Sequence, residues 1–157
     1  MFASWLGWLV TPDRPLIFVT DDTTDGAELL RQCANVGYDR IAGELAGGFD
    51  AWADARLPVA SVDVVAAEHV HGPVLDVRQT GEHQAGHVPG ARNLELGSLA
   101  NVAEKITEPV TVMCGHGQRA ASAASILLRH GNTNVRIVTG GPDDWAATTG
   151  RPLDTGP

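Results

Sequence analysis

Short apolar runs and amphipathic stretches alternate along the chain. The runs 74–77 and 110–113 consist largely of valine, leucine and methionine, and they predict buried strands. Residues Arg119–His130 carry apolar side chains at helical spacing and are followed by Gly131, which predicts a helix stopped by a glycine. Because such strands and helices alternate over short loops, the pattern predicts an α/β fold with an open parallel sheet flanked by helices.

One part of this pattern occurs twice. In each copy a helix ends at a glycine, a short β-branched strand follows, and a Gly-Gly turn leads into a helix with one tryptophan. The first copy contains Gly37 and Trp52, and the second contains Gly131 and Trp145. Each copy is preceded by an apolar strand, at 16–20 in the first. This repeat indicates two units of related structure.

The two units differ in what precedes the repeat. Residues 61–105, ahead of the second copy, contain further strand and helix signals at 74–77, 80–85 and 91–94. Ahead of the first copy lies only an apolar segment that predicts a helix with one buried stripe, made of Phe2, Trp5, Leu6 and Leu9. We therefore expect a partial, degenerate unit at residues 1–59 and one complete domain at residues 60–157.

Charge and cysteine content narrow the classes of partner and compartment. The chain has 157 residues and a formal net charge of -8. Because nucleic acids and anionic membranes bind clustered Lys and Arg, this charge argues against both as partners. The apolar N-terminal segment is too short for a membrane span and lacks the basic lead of a signal peptide. Two cysteines far apart and no export signal indicate a cytoplasmic protein without a structural disulfide.

The main chemical candidate is Cys114, which follows the strand 110–113 and precedes the long helix. Its place at the carboxyl end of a parallel strand is where open α/β sheets bind ligands. Gly115 and Gly117 allow the loop to curl so that backbone N–H groups point inward at a helix N-terminus, and Arg119 adds a positive charge. These features favour thiolate over thiol, so we expect Cys114 to be a reactive nucleophile.

Three motifs in this order resemble the rhodanese family of sulfurtransferases, and the resemblance extends over the whole chain. The first motif is Asp-Val-Arg followed by Glu and Gly-His-Val-Pro-Gly-Ala, the second is Cys-x-x-Gly-x-Arg, and the third is Gly-Gly-x-x-x-Trp. Their residues here are Asp76, Val77, Arg78, Glu82, 86–91, Cys114, Gly117, Arg119, Gly140, Gly141 and Trp145. The loop and the third motif together are most similar to the C-terminal part of metallo-β-lactamase–rhodanese fusion proteins.

The resemblance implies a rhodanese-like fold and a sulfurtransferase activity without a cofactor or metal. Cys114 would take sulfane sulfur from thiosulfate or a persulfide and pass it, as a persulfide, to cyanide or a thiol. The persulfide would be held by the loop Gly115, His116, Gly117, Gln118 and Arg119. Asp76, Arg78 and Glu82 would support the site, with Arg78 forming an ion pair with Glu82. A persulfide dioxygenase or metallo-β-lactamase-like protein is an implied partner.

Two other functions remain open at this stage. A cysteine phosphatase is disfavoured by the loop, because four residues separate Cys114 from Arg119 where related phosphatases have five and so accommodate a tetrahedral oxyanion. A non-catalytic binding module with Cys114 as a redox sensor is disfavoured because the nucleophile and its anion-binding loop are both intact. His116 either donates a hydrogen bond to the substrate or faces solvent.

The first unit lacks the chemistry of the second. Alignment of the two glycine stops places Thr20 opposite Cys114 and Asp25 opposite Arg119. We expect this unit to be inactive and structural, with an exposed sheet edge that packs on the second domain or forms a homodimer.

Three further groups have two interpretations each. His69 and His71 form a His-x-His pattern without further ligands nearby, which favours surface histidines over zinc. His87 precedes a turn, so it need not share a helix face with His83, and its motif suggests a structural hydrogen bond. Cys33 is either a small core residue or, as the sharper alternative, a resolving thiol for a Cys114 persulfide.

Overall fold

The computed structural model describes residues 2–157, and the chain divides into two compact units. One unit ends at Ala60 and the other extends from Ser61 to Pro157. None of the helices between residues 2 and 157 has the length and apolar character needed to cross a membrane.

The second unit has a five-stranded sheet in which each described strand pair is parallel. Its strands are β3 (Asp63–Ala66), β4 (Val74–Asp76), β5 (Arg92–Asn93), β6 (Val110–Met113) and β7 (Val135–Thr139), and they lie in the order β3-β7-β6-β4-β5. Its α-helices are α4 (Thr80–Ala85), α5 (Leu96–Leu99), α6 (Gln118–Arg129) and α7 (Pro142–Thr149). The predicted α/β fold with an open parallel sheet is therefore confirmed.

Apolar layers cover both faces of this sheet. On one face α6 buries three alanines and one leucine at helical spacing, and the small alanine side chains allow the helix to pack closely against β6 and β7. These residues are Ala120, Ala123, Ala124 and Leu127. On the other face Trp145 of α7 packs in a cluster with Met113 and Val138. Because β6 is covered on both faces, all four of its residues are buried and its sequence is largely apolar.

The predicted elements agree best with the structure where a strong local signal defines them. The strand 110–113 and the helix 80–85 have the predicted bounds. The edge strand β3 was missed because its residues are only half-buried or exposed, and its side chains show no clear apolar alternation. Helix α5 was missed because four residues are too few for a periodic pattern.

The first unit has its own strand order and core. Its elements are α1 (Phe2–Leu9), β1 (Leu16–Phe18), α2 (Gly26–Asn35), β2 (Ile41–Glu44) and α3 (Gly48–Asp54), and β1 pairs with β2 in parallel. Its buried residues are Leu6, Leu16, Cys33 and Tyr38. Cys33 is therefore a core residue, as expected. The predicted buried stripe of α1 is wrong in part, because Leu6 is buried but Leu9 is exposed.

The first unit repeats the order strand, helix, strand, helix that β6, α6, β7 and α7 have in the second. Gly48 begins α3 so close to the loop after β1 that a methyl group on it would overlap the Thr20 carbonyl oxygen. Thr20 and Asp25 occupy the positions aligned with Cys114 and Arg119, and Asp25 caps α2 by accepting hydrogen bonds from backbone N–H groups. The assignment of this unit as a degenerate relative of the second remains a prediction.

Candidate active site

Cys114 lies directly after β6, at the carboxyl edge of the sheet, and α6 begins four residues later. Its side chain is almost completely covered, with 1% of the residue exposed. The backbone N–H of Gly117 donates a hydrogen bond to Cys114 Sγ over 3.1 Å. Gly117 has a left-handed φ of 87°, which a residue with a Cβ adopts only at a cost, and this conformation turns the chain into α6. The loop therefore brings one of the predicted amide donors, the Gly117 N–H, to the sulfur.

A pocket of about 420 Å³ adjoins this loop. It is lined by Arg78, Glu82, Gly115, His116, Gly141, Pro142, Asp143 and Asp144. His116 is exposed at the pocket, and Gln118 is exposed at the start of α6. The structure thus brings Arg78, Glu82 and the cysteine loop to one place, although they come from separate motifs.

The turn after β7 forms the other wall of the pocket, and the sequence interpretation did not assign it to the site. A methyl group in place of the Gly141 hydrogen would lie 2.7 Å from the Gly115 carbonyl oxygen and 3.1 Å from the Cys114 carbonyl oxygen. The backbone of Gly141 therefore packs directly against the cysteine loop, and this contact requires glycine. No local signal in the sequence indicates this contact, because it depends on β6 and β7 being adjacent parallel strands whose following loops meet.

Arg119 forms a two-point ion pair with Glu82. Its Nη1 and Nη2 atoms donate to the Glu82 carboxylate over 2.6 and 2.8 Å. These hydrogen bonds raise the pKa of Arg119 and lower the pKa of Glu82. Arg119 therefore keeps the permanent positive charge expected from the sequence, and this charge is paired with the Glu82 carboxylate.

Arg78 pairs with Asp76, so the expected ion pair with Glu82 is wrong. Arg78 Nε and Nη2 donate to the Asp76 carboxylate over 3.0 and 2.7 Å, and His83 Nδ1 lies 3.0 Å from the same carboxylate. Burial by itself raises the pKa of Asp76, but the hydrogen bonds from Arg78 and His83 outweigh it, so this pKa lies below its ordinary value. Asp76 lies two residues before Arg78, within reach of the Arg78 side chain. Glu82 lies in the first turn of α4 and pairs with Arg119 instead.

The two histidines of this region are in contact. The rings of His83 and His87 are stacked with their centroids 3.7 Å apart, although His87 lies beyond the end of α4. The sequence did not predict this contact, because a shared helix face was the only arrangement considered and His87 lies outside the helix. The structural hydrogen bond predicted for His87 is confirmed, since its Nδ1 lies 2.9 Å from the His83 carbonyl oxygen. His69 and His71 are both exposed.

We predict that Cys33 stays unlabelled by a small thiol reagent while the first unit is folded. It has no exposed surface, and burial raises the pKa of its thiol, so both access and the thiolate fraction are low. The measurement is mass spectrometry of labelled Cys114→Ser protein, in which Cys33 is the remaining thiol. Labelling should follow the addition of denaturant; rapid labelling without it would contradict the burial and revive the resolving-thiol alternative.

A covered thiol at the end of a parallel strand, with an amide donor and a helix N-terminus behind it, defines a cysteine-nucleophile site on an α/β sheet. The Rhodanese-like domain profile matches residues 62–148. The chain therefore belongs to the rhodanese-like domain family.

Curated relatives and solved structures agree with this assignment. The thiosulfate sulfurtransferase GlpE of Pseudomonas putida is 38% identical over 77 residues, which cover 48% of this chain and 70% of the relative. GlpE of Pseudoalteromonas translucida is 32% identical over 76 residues, covering 47% and 72%. At family level the chain is thus related to rhodanese-type sulfurtransferases.

Among solved structures, a rhodanese-like domain from an Anabaena species has a TM-score of 0.53 at 21% identity, covering 60% of this chain and 80% of that one. Reduced CoADR-RHD from Bacillus anthracis also has a TM-score of 0.53, at 25% identity, covering 59% of this chain and 18% of that one. The first of these likenesses concerns the fold alone.

Proposed function

We propose that this protein is a sulfurtransferase that carries sulfane sulfur as a persulfide on Cys114. The observation that carries the proposal is the hydrogen bond from the Gly117 N–H to Cys114 Sγ at the N-terminus of α6. An amide donor and a helix N-terminus both stabilise a negative charge on sulfur, whether thiolate or persulfide. The family relationship to thiosulfate sulfurtransferases supports the same activity.

The transfer consists of two displacements at sulfur. The Cys114 thiolate attacks the outer sulfur of a donor, which is thiosulfate or a persulfide. The donor's S–S bond breaks, and the leaving group, sulfite or a thiolate, departs with the bonding electron pair. An acceptor thiolate or cyanide then attacks the outer sulfur of the Cys114 persulfide and restores the Cys114 thiolate. Sulfane sulfur moves without an external oxidant, reductant or metal.

The size of the loop supports transfer of sulfur over transfer of phosphate. Four residues separate Cys114 from Arg119. Two of the five N–H donors of Arg119 are already bonded to the Glu82 carboxylate, so fewer of them remain for a tetrahedral oxyanion. The geometry therefore favours a substrate that presents one sulfur atom to the loop.

Intact-mass measurement tests the proposal directly. The protein is incubated with thiosulfate or with a small organic persulfide, separated from the donor, and weighed. We expect the wild type and Cys33→Ala to gain one sulfur atom, and fragmentation to place it on Cys114. Cys114→Ser should gain none. If neither donor adds sulfur to the wild type, the proposal fails and a non-catalytic binding or redox-sensing module takes its place.

Gly141→Ala should impair sulfur loading while the protein still folds. The added methyl group meets backbone oxygen atoms at 2.7 and 3.1 Å, so the cysteine loop or the turn after β7 must move. Displacements of about 1 Å in an active site lower rates on the order of a hundredfold. The measurement is the rate of Cys114 persulfide formation in a single turnover. Gly7→Ala, where a methyl group meets nothing within 4 Å, is the matched control and should load normally. A Gly141→Ala protein as fast as the control would contradict a role for this contact.

A further inference from the structure

The pocket beside Cys114 has an excess of negative charge. Around it lie two guanidinium groups, Arg78 and Arg119, and four carboxylates, Asp76, Glu82, Asp143 and Asp144. Each guanidinium is held by one of these carboxylates, Arg78 by Asp76 and Arg119 by Glu82. Asp143 and Asp144 are therefore left without a cationic partner among the described residues.

The two remaining carboxylates differ in what they contact. Asp144 Oδ2 accepts a hydrogen bond from the Gly141 N–H over 2.8 Å and so caps α7. Asp143 is exposed in the pocket lining, and its carboxylate makes no hydrogen bond or ion pair with the described residues. It is thus the charged group at this site that is free to act on an incoming molecule.

The helix N-terminus beside Asp143 offsets only part of this charge. Pro142 opens α7 and has no N–H, and the N–H of Gly141 is already bonded to Asp144. His116 also lines the pocket and is exposed there. A formal net charge of -8 on the whole chain adds a long-range field of the same sign.

The negative charge of the pocket discriminates between thiosulfate and organic persulfides, the two classes of donor that the proposed function leaves open. Thiosulfate is a dianion and releases sulfite, a second anion, so it is repelled on entry. An organic persulfide R–S–SH transfers its outer sulfur to the Cys114 thiolate, giving Cys114–S–SH and R–S⁻. Its group R does not take part in this reaction and can carry a charge of either sign. A donor with an ammonium group in R would be attracted by Asp143.

We propose that Asp143 is a specificity-determining residue that selects organic persulfides carrying a positively charged group over thiosulfate. This inference rests on the proposed sulfur transfer through Cys114. It assigns to Asp143 an effect on the choice of donor and not on the chemistry of the Cys114 sulfur.

Three donors of graded charge test the proposal in single-turnover loading of Cys114 at low ionic strength. They are thiosulfate, the persulfide of 2-mercaptoethanol, which has an uncharged group, and the persulfide of cysteamine, which has an ammonium group. We expect Asp143→Asn to raise the second-order loading rate with thiosulfate about three- to tenfold and to lower the rate with cysteamine persulfide about two- to fivefold. The response of 2-mercaptoethanol persulfide should lie between those of the other two donors.

The control is Asp63→Asn, which removes the same charge at the amino end of β3, the opposite edge of the sheet from Cys114. Its donor preference should equal that of the wild type. The effect of Asp143→Asn should also shrink near 1 M salt, where the screening length is about 3 Å. An unchanged ratio of thiosulfate to cysteamine rates in Asp143→Asn, or an equal change in Asp63→Asn, overturns the inference. Absence of loading from all three donors in the wild type would instead overturn the proposed function.

Discussion

Cys114→Ser should lose sulfur transfer by about a thousandfold or more. A serine hydroxyl is not ionised at neutral pH and cannot hold sulfane sulfur, so both displacements lose their nucleophile. The fold should be retained, because the replaced atom is similar in size and the Gly117 N–H can donate to a hydroxyl oxygen as it does to Sγ. The measurement is steady-state turnover with thiosulfate and a thiol or cyanide acceptor.

The matched control for this variant is Cys33→Ala, which removes the other cysteine from the core of the first unit. It should keep turnover close to that of the wild type. Two results would count against Cys114 as the sulfur carrier: substantial turnover in Cys114→Ser, or a comparable loss in Cys33→Ala. Circular dichroism of both variants separates a lost nucleophile from a lost fold.

Asp76→Ala should destabilise the second unit by about 3–5 kcal/mol, the usual effect of removing one partner of a buried ion pair. Asp76 is 1% exposed and accepts hydrogen bonds from the Arg78 side chain and the Arg78 backbone N–H. Without the carboxylate, the buried guanidinium of Arg78 keeps only its hydrogen bond to the Gly86 carbonyl oxygen among the described residues. Hydrogen exchange of the amides in β4 and β6 reports the change in this unit alone.

A double variant distinguishes an uncompensated charge from simple loss of packing. Asp76→Leu combined with Arg78→Met removes both charges, and it should recover part of the stability that Asp76→Ala loses. A double variant that is less stable than Asp76→Ala would show that the buried charge is not the main cause.

The stabilisation by Asp76 should also depend on pH. Because the pKa of Asp76 is lower in the folded protein than in the unfolded chain, its contribution is fully present above the unfolded value of about 4. It is lost as the pH falls through the folded value. The difference in stability between the wild type and Asp76→Ala should therefore narrow below about pH 4, and a constant difference down to pH 2 would contradict the ion pair.

Much of the second unit was predictable because its signals are local. The β-branched run 110–113 is buried on both faces of a central strand, and the helix after it ends at a glycine with a left-handed φ of 92°. The cysteine loop was predictable for the same reason: Gly117 must adopt a left-handed conformation to begin α6, and that conformation turns its N–H toward Sγ.

Contacts between distant residues were not predictable in the same way. Asp76, Arg78, Glu82 and Arg119 are all charged residues of the recognised motifs, but their charges alone allow more than one pairing. The orientation of α4 decides it, because this helix places Glu82 beside Arg119, 37 residues away, and leaves Arg78 with Asp76. The contact of Gly141 with Gly115 likewise required the order of the strands, which places β7 next to β6.

The sequence by itself determined the α/β class, the family and the position of Cys114 at the start of a helix. Periodicity, turn residues and motif spacing are properties of short stretches, so they predict local structure without information about the rest of the chain. The tertiary structure decided the charge of the site: it paired Arg119 with Glu82 and brought Asp143 into the pocket from the first turn of α7. Electrostatic interactions act between groups that are close in space, so the character of the pocket around Cys114 depended on how the sheet places its loops.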